Sequence, residues 1–562
     1  MVSLRFSSGP GPDPRYPLSG LYLGDYSRVA HLYDYSPHDP RAFPERAREL
    51  AGHDFDRPGL AGLLEEYNRG LGAPPEALAS ARRLGKPGAV AIITGQQPGV
   101  LVGPLYTFWK AVSVIQLARA VEGLLPAGTP VVPVFWIGGE DHDLAEVARL
   151  TIQAPDGSLA RLNYRPSAGT GALFPARASV GHLPAGPAAQ VLLDELEPLL
   201  GQTEFSPDVL AHLRRTAEAS GSLSGWFGRL LLSLLGHLGL VLADPLLPGM
   251  RLLQRPALAR MVTDNRAIGT LFAEGQHQVR ELGLDPQVEK DPDSANLYLY
   301  RGLERVPLRR VAGDGRSFTA GQGPEAEVLT ESDLLGLASS PEGLSPNVVL
   351  RPLAQEWVFP VLAYVGGPGE TSYFGLYKGL FHHFGRRLPV IYPRPNVTIV
   401  EPAVARHLSR CGLDAGEALD LDTLRGARAR YLDDADPVGI DGLFARLSDQ
   451  VTDLYAGADR DLARLDPGLA DLGVKNRDRV LAEVEWLRKK TWQQHRQNCQ
   501  EAVRRYDALE TALRPGGDFQ ERVFNLFPYL AKYGPGLTGE MASQPIVPGD
   551  ATLSAGHRFL FI

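Results

Sequence analysis

Residues 89–104, AVAIITGQQPGVLVGP, indicate the fold because an apolar run opens directly into a glycine-rich loop. The following residues 105–121, LYTFWKAVSVIQLARAV, predict a helix. A strand, a glycine loop and a helix form many phosphate-binding sites, since the N–H groups at a helix start favour anions. The loop matches neither GxxxxGKS/T nor GxGxxG, and Lys110 lies at the wrong place for the first motif. The stretch therefore predicts either a ligand-binding loop or a tight turn that holds no ligand.

The same pattern recurs along the chain. Residues 131–137, 241–243 and 361–366 are apolar and are followed by loops or helices. Apolar strands that alternate with helices are typical of a parallel sheet covered on both faces. The pattern predicts the α/β fold class. We expect an insertion after residue 149, which begins with a hairpin that turns at Asp156-Gly157, and a second insertion after residue 259.

Residues 443–509 predict a helical region. Apolar positions three or four residues apart run through two segments separated by Asp466-Pro467-Gly468. We expect two long antiparallel helices with a coiled-coil-like seam. The hairpin either folds back on its own core or mediates self-association, and the uncovered face of a two-helix arm favours self-association. The apolar residues 521–534, ERVFNLFPYLAKYG, are expected to dock on the body of the protein.

Composition excludes several classes of function. The 562 residues are 44% hydrophobic and 22% charged with a net charge of −8, so there is no basic footprint for nucleic acid. The N-terminus has no apolar run of signal-peptide length, and no window of the sequence has the apolar length of a membrane span. Cys411 and Cys499 lack a zinc-site spacing and suit a reducing compartment. We therefore expect a cytoplasmic protein that binds neither nucleic acid nor membrane.

Candidate site residues follow the apolar strands, whose carboxyl ends meet at one edge of a parallel sheet. In the first loop the candidates for nucleotide or anion binding are Thr94, Gly95 and Gly99, and those for substrate binding are Gln96, Gln97 and the nearby Tyr106. The second loop holds Glu140, Asp141, His142 and Asp143 in a row. Helix capping explains one or two of them, whereas a site explains all four. Asp141, His142 and Asp143 are the catalytic candidates, and Glu140 is a substrate-binding candidate.

The third loop adds Gly367 and Gly369 as anion-binding candidates and Glu370 as a substrate-binding candidate. Arg351 and Arg394 are candidates for binding a carboxylate or phosphate. Consecutive residues seldom converge on one ion and no HxxxH spacing is present, so we predict no metal site. A metal-dependent hydrolase or phosphatase that uses residues 140–143 stays as an alternative.

Four blocks of this sequence resemble a known family. They are ITGQQPGVLVGPLYTFWKAVSVI (93–115), PVFWIGGEDHDLAEV (133–147), LRPLAQEWVFPVLAYVGGPGETSYF (350–374) and QERVFNLFPYLAKYG (520–534). In this order they resemble the bacillithiol biosynthesis cysteine-adding enzymes, a family of cysteine ligases. The resemblance implies a Rossmann-like parallel-sheet core with two connecting insertions, plus an α-helical antiparallel coiled-coil domain that forms a homodimer. The implied divisions are core 1–149, insertion 150–225, core 226–259, insertion 260–340, core 341–400, coiled coil 401–515 and a C-terminal segment 516–562 that docks on the core.

The resemblance also implies an activity. The family is expected to add L-cysteine to the amine of glucosaminyl-malate, the last step in making the thiol bacillithiol. Asp141, His142 or Asp143 would then take the proton of the amine or hold the cysteine ammonium. Gln96 and Gln97 would orient substrate groups. Arg351 or Arg394 would hold the malate dianion.

A likeness of the family's fold to class I aminoacyl-tRNA synthetases implies ATP or ADP as a ligand. This chain has no HxGH sequence and no KMSKS-like run; residues 236–239, GHLG, do not match the first motif. ATP, a tRNA-bound cysteine or another donor therefore stays open as the source of activation. A non-catalytic nucleotide-binding dimeric assembly protein is the second alternative.

Overall fold

The computed structural model describes residues 2–7, 13–169, 171, 173–311, 313, 316–321, 323, 326–553 and 556–562. The chain divides into two compact units. The first is Met1–Val400 together with Asp518–Ile562, and the second is Glu401–Gly517. None of the described helices combines the length and the apolar character that a membrane span requires.

The strands of the described residues all lie in the first unit. In chain order they are β1 (Ser3–Ser7), β2 (Val90–Gln96), β3 (Val131–Ile137), β4 (Arg149–Gln153), β5 (Leu159–Asn163), β6 (Val241–Ala243), β7 (Ser294–Arg301), β8 (Glu304–Arg310), β9 (Ser317–Ala320), β10 (Glu327–Thr330), β11 (Leu344–Pro346), β12 (Val361–Gly366), β13 (Val390–Pro393), β14 (Val397–Val400) and β15 (His557–Phe561).

Helices make up the rest of the first unit and the whole of the second. Those of the first unit are α1 (Pro17–Gly24), α2 (Ala42–Leu50), α3 (Arg57–Gly70), α4 (Pro75–Arg83), α5 (Leu105–Glu122), α6 (Leu144–Val147), α7 (Gly186–Leu196), α8 (Ser206–Glu218), α9 (Leu223–Leu235), α10 (Pro248–Thr263), α11 (Asn265–Glu281), α12 (Glu331–Ala338), α13 (Arg351–Val358), α14 (Pro368–Phe374), α15 (Lys378–His383), α22 (Gln520–Val523), α23 (Phe527–Tyr533) and α24 (Leu537–Ser543). Those of the second are α16 (Pro402–Cys411), α17 (Ala415–Leu419), α18 (Leu421–Asp434), α19 (Ile440–Leu465), α20 (Pro467–Asn498) and α21 (Gln500–Leu513).

A five-stranded parallel sheet forms the core of the first unit. Its strand order is β13-β12-β2-β3-β6, and every neighbouring pair is parallel. From β2 the chain adds β3 and β6 on one side, and then β12 and β13 on the other. The order therefore reverses between β2 and β12, which is where such sheets bind ligands. The predicted α/β, Rossmann-like fold class is confirmed.

The core strands are apolar on both faces because helices cover both. Every residue of β3 is buried, including the large side chains of Phe135 and Trp136. Helix α5, which follows the first glycine loop, is also buried on most of its surface, with Trp109 fully enclosed. This burial explains why both segments read as apolar runs without a polar face.

Two additions interrupt the core. Between β3 and β6 lie the antiparallel hairpin β4–β5 and helices α7, α8 and α9. The predicted hairpin is confirmed, and Gly157 in its turn has a φ of +86°, which favours glycine. Between β6 and β12 lies a five-stranded antiparallel sheet in the order β10-β9-β8-β7-β11.

The C-terminal segment docks on the core, as predicted. The side-chain amide of Asn525 donates hydrogen bonds to the carbonyls of Leu101 at 2.8 Å and Gly103 at 2.7 Å. Strand β15 then pairs antiparallel with β1 and parallel with β14. The loop that follows β2 is therefore held in place from the far end of the chain.

The second unit contains the predicted antiparallel helical hairpin. Helices α19 and α20 are joined at Asp466, whose side chain accepts a hydrogen bond from the Gly468 N–H at 2.7 Å and caps α20. Asp441 near the start of α19 binds Arg488 near the end of α20 at 2.8 Å, which fixes the antiparallel direction. The prediction of one continuous second helix is wrong: α20 ends at Asn498. Helix α21 instead packs against α16, α17 and α18.

Candidate active site

A cavity of about 580 Å³ lies at the carboxyl ends of the central strands. Loops that follow β2, β3 and β12 form its wall, so the prediction that they share one rim is confirmed. The cavity lies beside the point where the strand order reverses. The predicted site residues that line it are Gly95, Gln96, Gln97, Tyr106, Glu140, Asp141, His142, Arg351, Gly367, Gly369, Glu370 and Arg394.

Three predicted site residues do not line the cavity. Thr94 is fully buried, and its hydroxyl donates to the Val365 carbonyl at 2.7 Å, which joins β2 to β12. Gly99 packs so closely on Gly103 that a Cβ atom would come 2.9 Å from its Cα. Asp143 accepts the Glu146 N–H at 3.1 Å and caps the short helix α6. These three residues make structural contacts here, and their action on a ligand stays a prediction.

The two glutamines of the opening loop connect a cation to two carboxylates. The Lys110 ammonium donates to the Gln96 side-chain oxygen at 3.1 Å, and the Gln96 amide nitrogen donates to the Gln97 side-chain oxygen at 2.7 Å. The Gln97 amide nitrogen donates to Asp141 at 3.0 Å and to Glu146 at 2.8 Å. Each amide is thereby oriented, because a flipped amide would place donors against donors and acceptors against acceptors. The glutamines therefore link Lys110 and the first loop to the second loop.

Lys110 was not among the predicted site residues. It projects from α5 into the cavity wall, is nearly inaccessible to solvent, and donates to the Gly95 carbonyl at 2.8 Å. Its ammonium also lies 2.5 Å from the Glu370 carboxylate. Comparison with phosphate-binding motifs missed it, because Lys110 holds the polypeptide and a carboxylate together and no motif describes that function.

Glu370 has both carboxylate oxygens occupied. The Gly367 N–H and the Tyr364 hydroxyl donate to them at 2.7 Å each, in addition to Lys110. Burial alone would raise the pKa of Glu370, but these donors, led by the Lys110 ammonium, hold the pKa below its usual value. Glu370 is therefore an ionised anchor of the third loop rather than a free substrate ligand.

Glu146 is a second residue that the sequence analysis missed. Its carboxylate faces the cavity and accepts hydrogen bonds from Gln97 at 2.8 Å and Gln96 at 3.2 Å. Desolvation in the cavity raises the pKa of Glu146, and the nearby carboxylates of Asp141 and Asp143 raise it further. Its spacing from Asp143, the third position of a capping sequence, was the available signal.

Asp141 and His142 also line the cavity. Asp141 accepts the backbone N–H of His142 at 2.7 Å with one oxygen and Gln97 with the other. The His142 ring makes an edge contact with Tyr298, with ring centres 5.8 Å apart. Burial lowers the pKa of His142, so the imidazole is neutral at pH 7.

Glu140 lines the cavity but its side chain is committed elsewhere. The carboxylate forms a buried ion pair with Arg251, and its backbone carbonyl accepts a hydrogen bond from Arg305 at 2.6 Å. Burial lowers the pKa of Arg251 to about 10, so the arginine still carries its charge at pH 7. Glu140 therefore fixes the second loop to α10, and substrate binding by Glu140 stays a prediction.

The cavity is also lined by two arginines with unused donors. Arg351 donates one nitrogen to the Tyr373 hydroxyl at 2.9 Å, whereas its buried Nη1 atom has no partner among the described residues. Arg394 binds Glu521 through two hydrogen bonds of 2.8 and 2.7 Å, and its Nε atom likewise has no partner within the described ranges. Buried donors are seldom left unpaired, so Arg351 and Arg394 are suited to binding an anion.

In the segments predicted to bind a nucleotide phosphate, the N–H groups of Gly99, Gly367 and Leu105 form hydrogen bonds within the protein. The Gly99 N–H donates to the Gln97 carbonyl at 2.8 Å, and the Gly367 N–H donates to Glu370. At the start of α5 the Leu105 N–H donates to the Phe524 carbonyl at 2.8 Å. These N–H groups already have protein acceptors and are not available to a phosphate.

The acidic residues of the second loop do not form a metal-ligating arrangement. Across the part of the chain that the structure describes, no three side chains of His, Cys, Asp and Glu are grouped as ligands of one ion. The alternative of a metal-dependent hydrolase that uses residues 140–143 therefore receives no support from geometry.

Comparison with known proteins gives one consistent result. Residues 12–395 match the family model "Bacillithiol biosynthesis BshC, N-terminal Rossmann-like domain", and residues 397–550 match "Bacillithiol biosynthesis BshC, C-terminal coiled-coil domain". A protein of Symbiobacterium thermophilum named "Putative cysteine ligase BshC" is 39% identical over 96% of this chain and 97% of its own. Proteins of the same name from Desulforamulus reducens and Heliobacterium modesticaldum are 36% and 35% identical over 93% and 94% of this chain, and over 95% and 96% of their own.

Proposed function

The chain belongs to the bacillithiol biosynthesis BshC family, and we propose that it is a ligase that joins L-cysteine to the amine of glucosaminyl-malate. The observation that carries this proposal is the match to proteins named as cysteine ligases over nearly the full length of both chains. The cavity supports it chemically. Its lining includes carboxylates that suit an amine and arginine donors that suit a carboxylate.

The carboxylates and the arginine donors suggest how glucosaminyl-malate lies in the cavity. The malate dianion would bind the Nη1 atom of Arg351 and the Nε atom of Arg394, which satisfies two buried donors. The amine of the sugar would then face Asp141 and Glu146, whose charge opposes that of an ammonium. Gln97 holds both of these carboxylates in position.

For the activating cosubstrate we keep ATP as the proposal, on the likeness of the fold alone. The glycine loops expected to bind its phosphates donate their N–H groups to protein acceptors. The reaction itself needs a cysteine carboxyl group converted to an acyl donor with an oxygen leaving group.

A direct experiment tests the proposed reaction. The purified full chain is incubated with cysteine and glucosaminyl-malate, with and without ATP, and the products are identified by mass spectrometry. We expect cysteinyl-glucosaminyl-malate to form, and we expect its formation to require ATP. Product formed without ATP would show that ATP is not the activating cosubstrate. If no product forms with ATP or with cysteine charged on tRNA, the proposed ligase activity is contradicted.

We also propose that the helical hairpin of the second unit joins two copies of the chain. Apolar side chains on the hairpin are exposed, among them Leu454, Leu465, Leu472 and Trp486. A face of this kind is typical of a protein interface.

We also propose that the protein is cytoplasmic. Cys411 and Cys499 are free cysteines, which suits a reducing compartment.

A further inference from the structure

We propose that Glu146 is the catalytic residue that takes the proton from the attacking amine, with Gln97 holding it beside Asp141. The proposal rests on the proposed function, because it takes the sugar amine as the nucleophile. The amine of glucosaminyl-malate is an ammonium in part at neutral pH and must lose a proton before it attacks. A base within the cavity wall therefore has a defined task.

The geometry places two carboxylates on one amide nitrogen. Gln97 donates to Asp141 at 3.0 Å and to Glu146 at 2.8 Å, and a primary amide has only two hydrogens. The two carboxylates are therefore within about 6 Å of each other, since each lies one hydrogen bond from the same atom. An ammonium bound between them would meet two acceptors at once.

Each oxygen of both carboxylates accepts one hydrogen bond, and the Oε1 atom of Glu146 is the oxygen that is held least firmly. Asp141 already accepts from Gln97 with Oδ2 and from the His142 backbone at 2.7 Å with Oδ1. The Oε1 atom of Glu146 has one contact of 3.2 Å with Gln96, whose two hydrogens also face the Gln97 oxygen at 2.7 Å and the Tyr106 hydroxyl at 3.2 Å. That contact is therefore shared, and Oε1 can accept from a ligand.

The neighbouring candidates are less suitable. The Nδ1 atom of His142 is enclosed by protein, 3.7 Å from the Asp141 carboxylate, and makes no hydrogen bond with the described residues. Asp143 caps α6 and does not line the cavity. Glu370 is saturated by Lys110, Gly367 and Tyr364. The raised pKa of Glu146 agrees with the assignment, because a carboxylate with a raised pKa is a stronger proton acceptor.

The sugar ammonium passes one proton to Glu146 and becomes a neutral amine. The amine nitrogen attacks the acyl carbon of the activated cysteine, which carries an oxygen leaving group as a mixed anhydride or an ester. The C–N bond forms and the C–O bond breaks. The leaving oxygen keeps the electron pair of that bond and takes the second proton from nitrogen, and Glu146 later releases its proton to solvent.

Turnover of the full chain gives the first test. Glu146→Gln keeps the shape of the side chain but cannot accept the proton, so we expect the turnover number at pH 7 to fall at least about a hundredfold. The loss should shrink as the pH rises, because more of the amine is then neutral in solution. Glu122→Gln is the matched control. Glu122 is the last residue of α5 and pairs with Arg83 on the surface. A loss that is the same at every pH, or no loss, overturns the assignment.

Binding gives a second test that needs no activating cosubstrate. Calorimetry compares glucosaminyl-malate with its N-acetyl derivative, whose amide nitrogen carries no charge. Glu146→Gln should weaken binding of the amine about tenfold or more and leave binding of the N-acetyl derivative unchanged. An equal effect on both ligands overturns the contact with the amine. A wild-type chain that binds neither ligand overturns the proposed function and the assignment together, whereas wild-type turnover with an unaffected Glu146→Gln variant overturns the assignment alone.

Discussion

Replacing Lys110 with methionine tests whether the buried Lys110–Glu370 pair holds the site together. Methionine has a similar length and fills the space, but it cannot donate to the Gly95 carbonyl, the Gln96 oxygen or the Glu370 carboxylate. Removing one partner of a buried ion pair costs about 3–5 kcal/mol, because the other charge stays buried. Glu370 keeps two hydrogen bonds of 2.7 Å, so we expect the lower end, about 3 kcal/mol of unfolding free energy.

The loss should depend on pH. Burial acts to raise the pKa of Glu370, and Lys110 is the main cause that holds it below the usual value. A carboxylate with a lowered pKa in the folded state stabilises the fold above its unfolded pKa, and that stability is lost as the pH falls through the folded pKa. Without Lys110, burial raises the pKa of Glu370 and this stabilisation disappears. The deficit of Lys110→Met is therefore largest near pH 7.5 and shrinks toward pH 4.

Urea unfolding of the first unit, measured at pH 7.5 and pH 4.5, is the assay. The double variant Lys110→Met, Glu370→Gln is the control, because it removes both charges, and it should be more stable than Lys110→Met alone at pH 7.5. A deficit below about 1 kcal/mol at pH 7.5, or one that does not change with pH, would refute the reasoning, since a surface pair gives values of that size.

Three further predictions follow from other parts of the structure. Arg351→Gln should raise the KM for glucosaminyl-malate about tenfold or more with a smaller change in kcat, as one charge-assisted hydrogen bond is lost; an unchanged KM contradicts malate binding there. Leu454→Lys with Leu465→Lys, at sites that are 73% and 80% exposed, should give monomers by light scattering, whereas Leu173→Lys at a 95% exposed site in the first unit should not. Burial raises the pKa of Asp244 from 3.8 to about 6, so its stabilising effect is present below pH 3.8 and is lost as the pH rises through 6. Asp244→Asn should therefore gain about 3 kcal/mol of unfolding free energy relative to wild type between pH 3.5 and pH 8, and parallel stability curves contradict this.

The sequence predicted the parts of the fold that depend on local periodicity. The apolar segments that became β2, β3, β6 and β12 were recognisable because both of their faces are buried. The helical hairpin was recognisable from the spacing of its leucines. The break after Asn498 was not, because the helical spacing continues through it and the change arises where α21 packs on other helices.

The site was predicted only in part, for a similar reason. The glutamines and the second loop stood out because polar residues directly follow apolar strands. The partners of Arg394 and Glu140 could not be predicted from the sequence. Glu521 and Arg251, respectively, lie more than a hundred residues away along the chain. Lys110 and Glu146 lie inside helices, where charged residues are ordinary, and only the fold brings them to the same glutamine pair.

The central claim is that this cavity is where the amide of the product is formed. The most direct measurement is the rate of cysteinyl-glucosaminyl-malate formation by Asp141→Ala and Gln97→Ala, beside wild type and Glu122→Gln, with folding checked by circular dichroism. The account predicts that both cavity variants stay folded and form no measurable product, while Glu122→Gln matches wild type. Wild-type rates in both cavity variants would contradict it and place the reaction elsewhere on the chain.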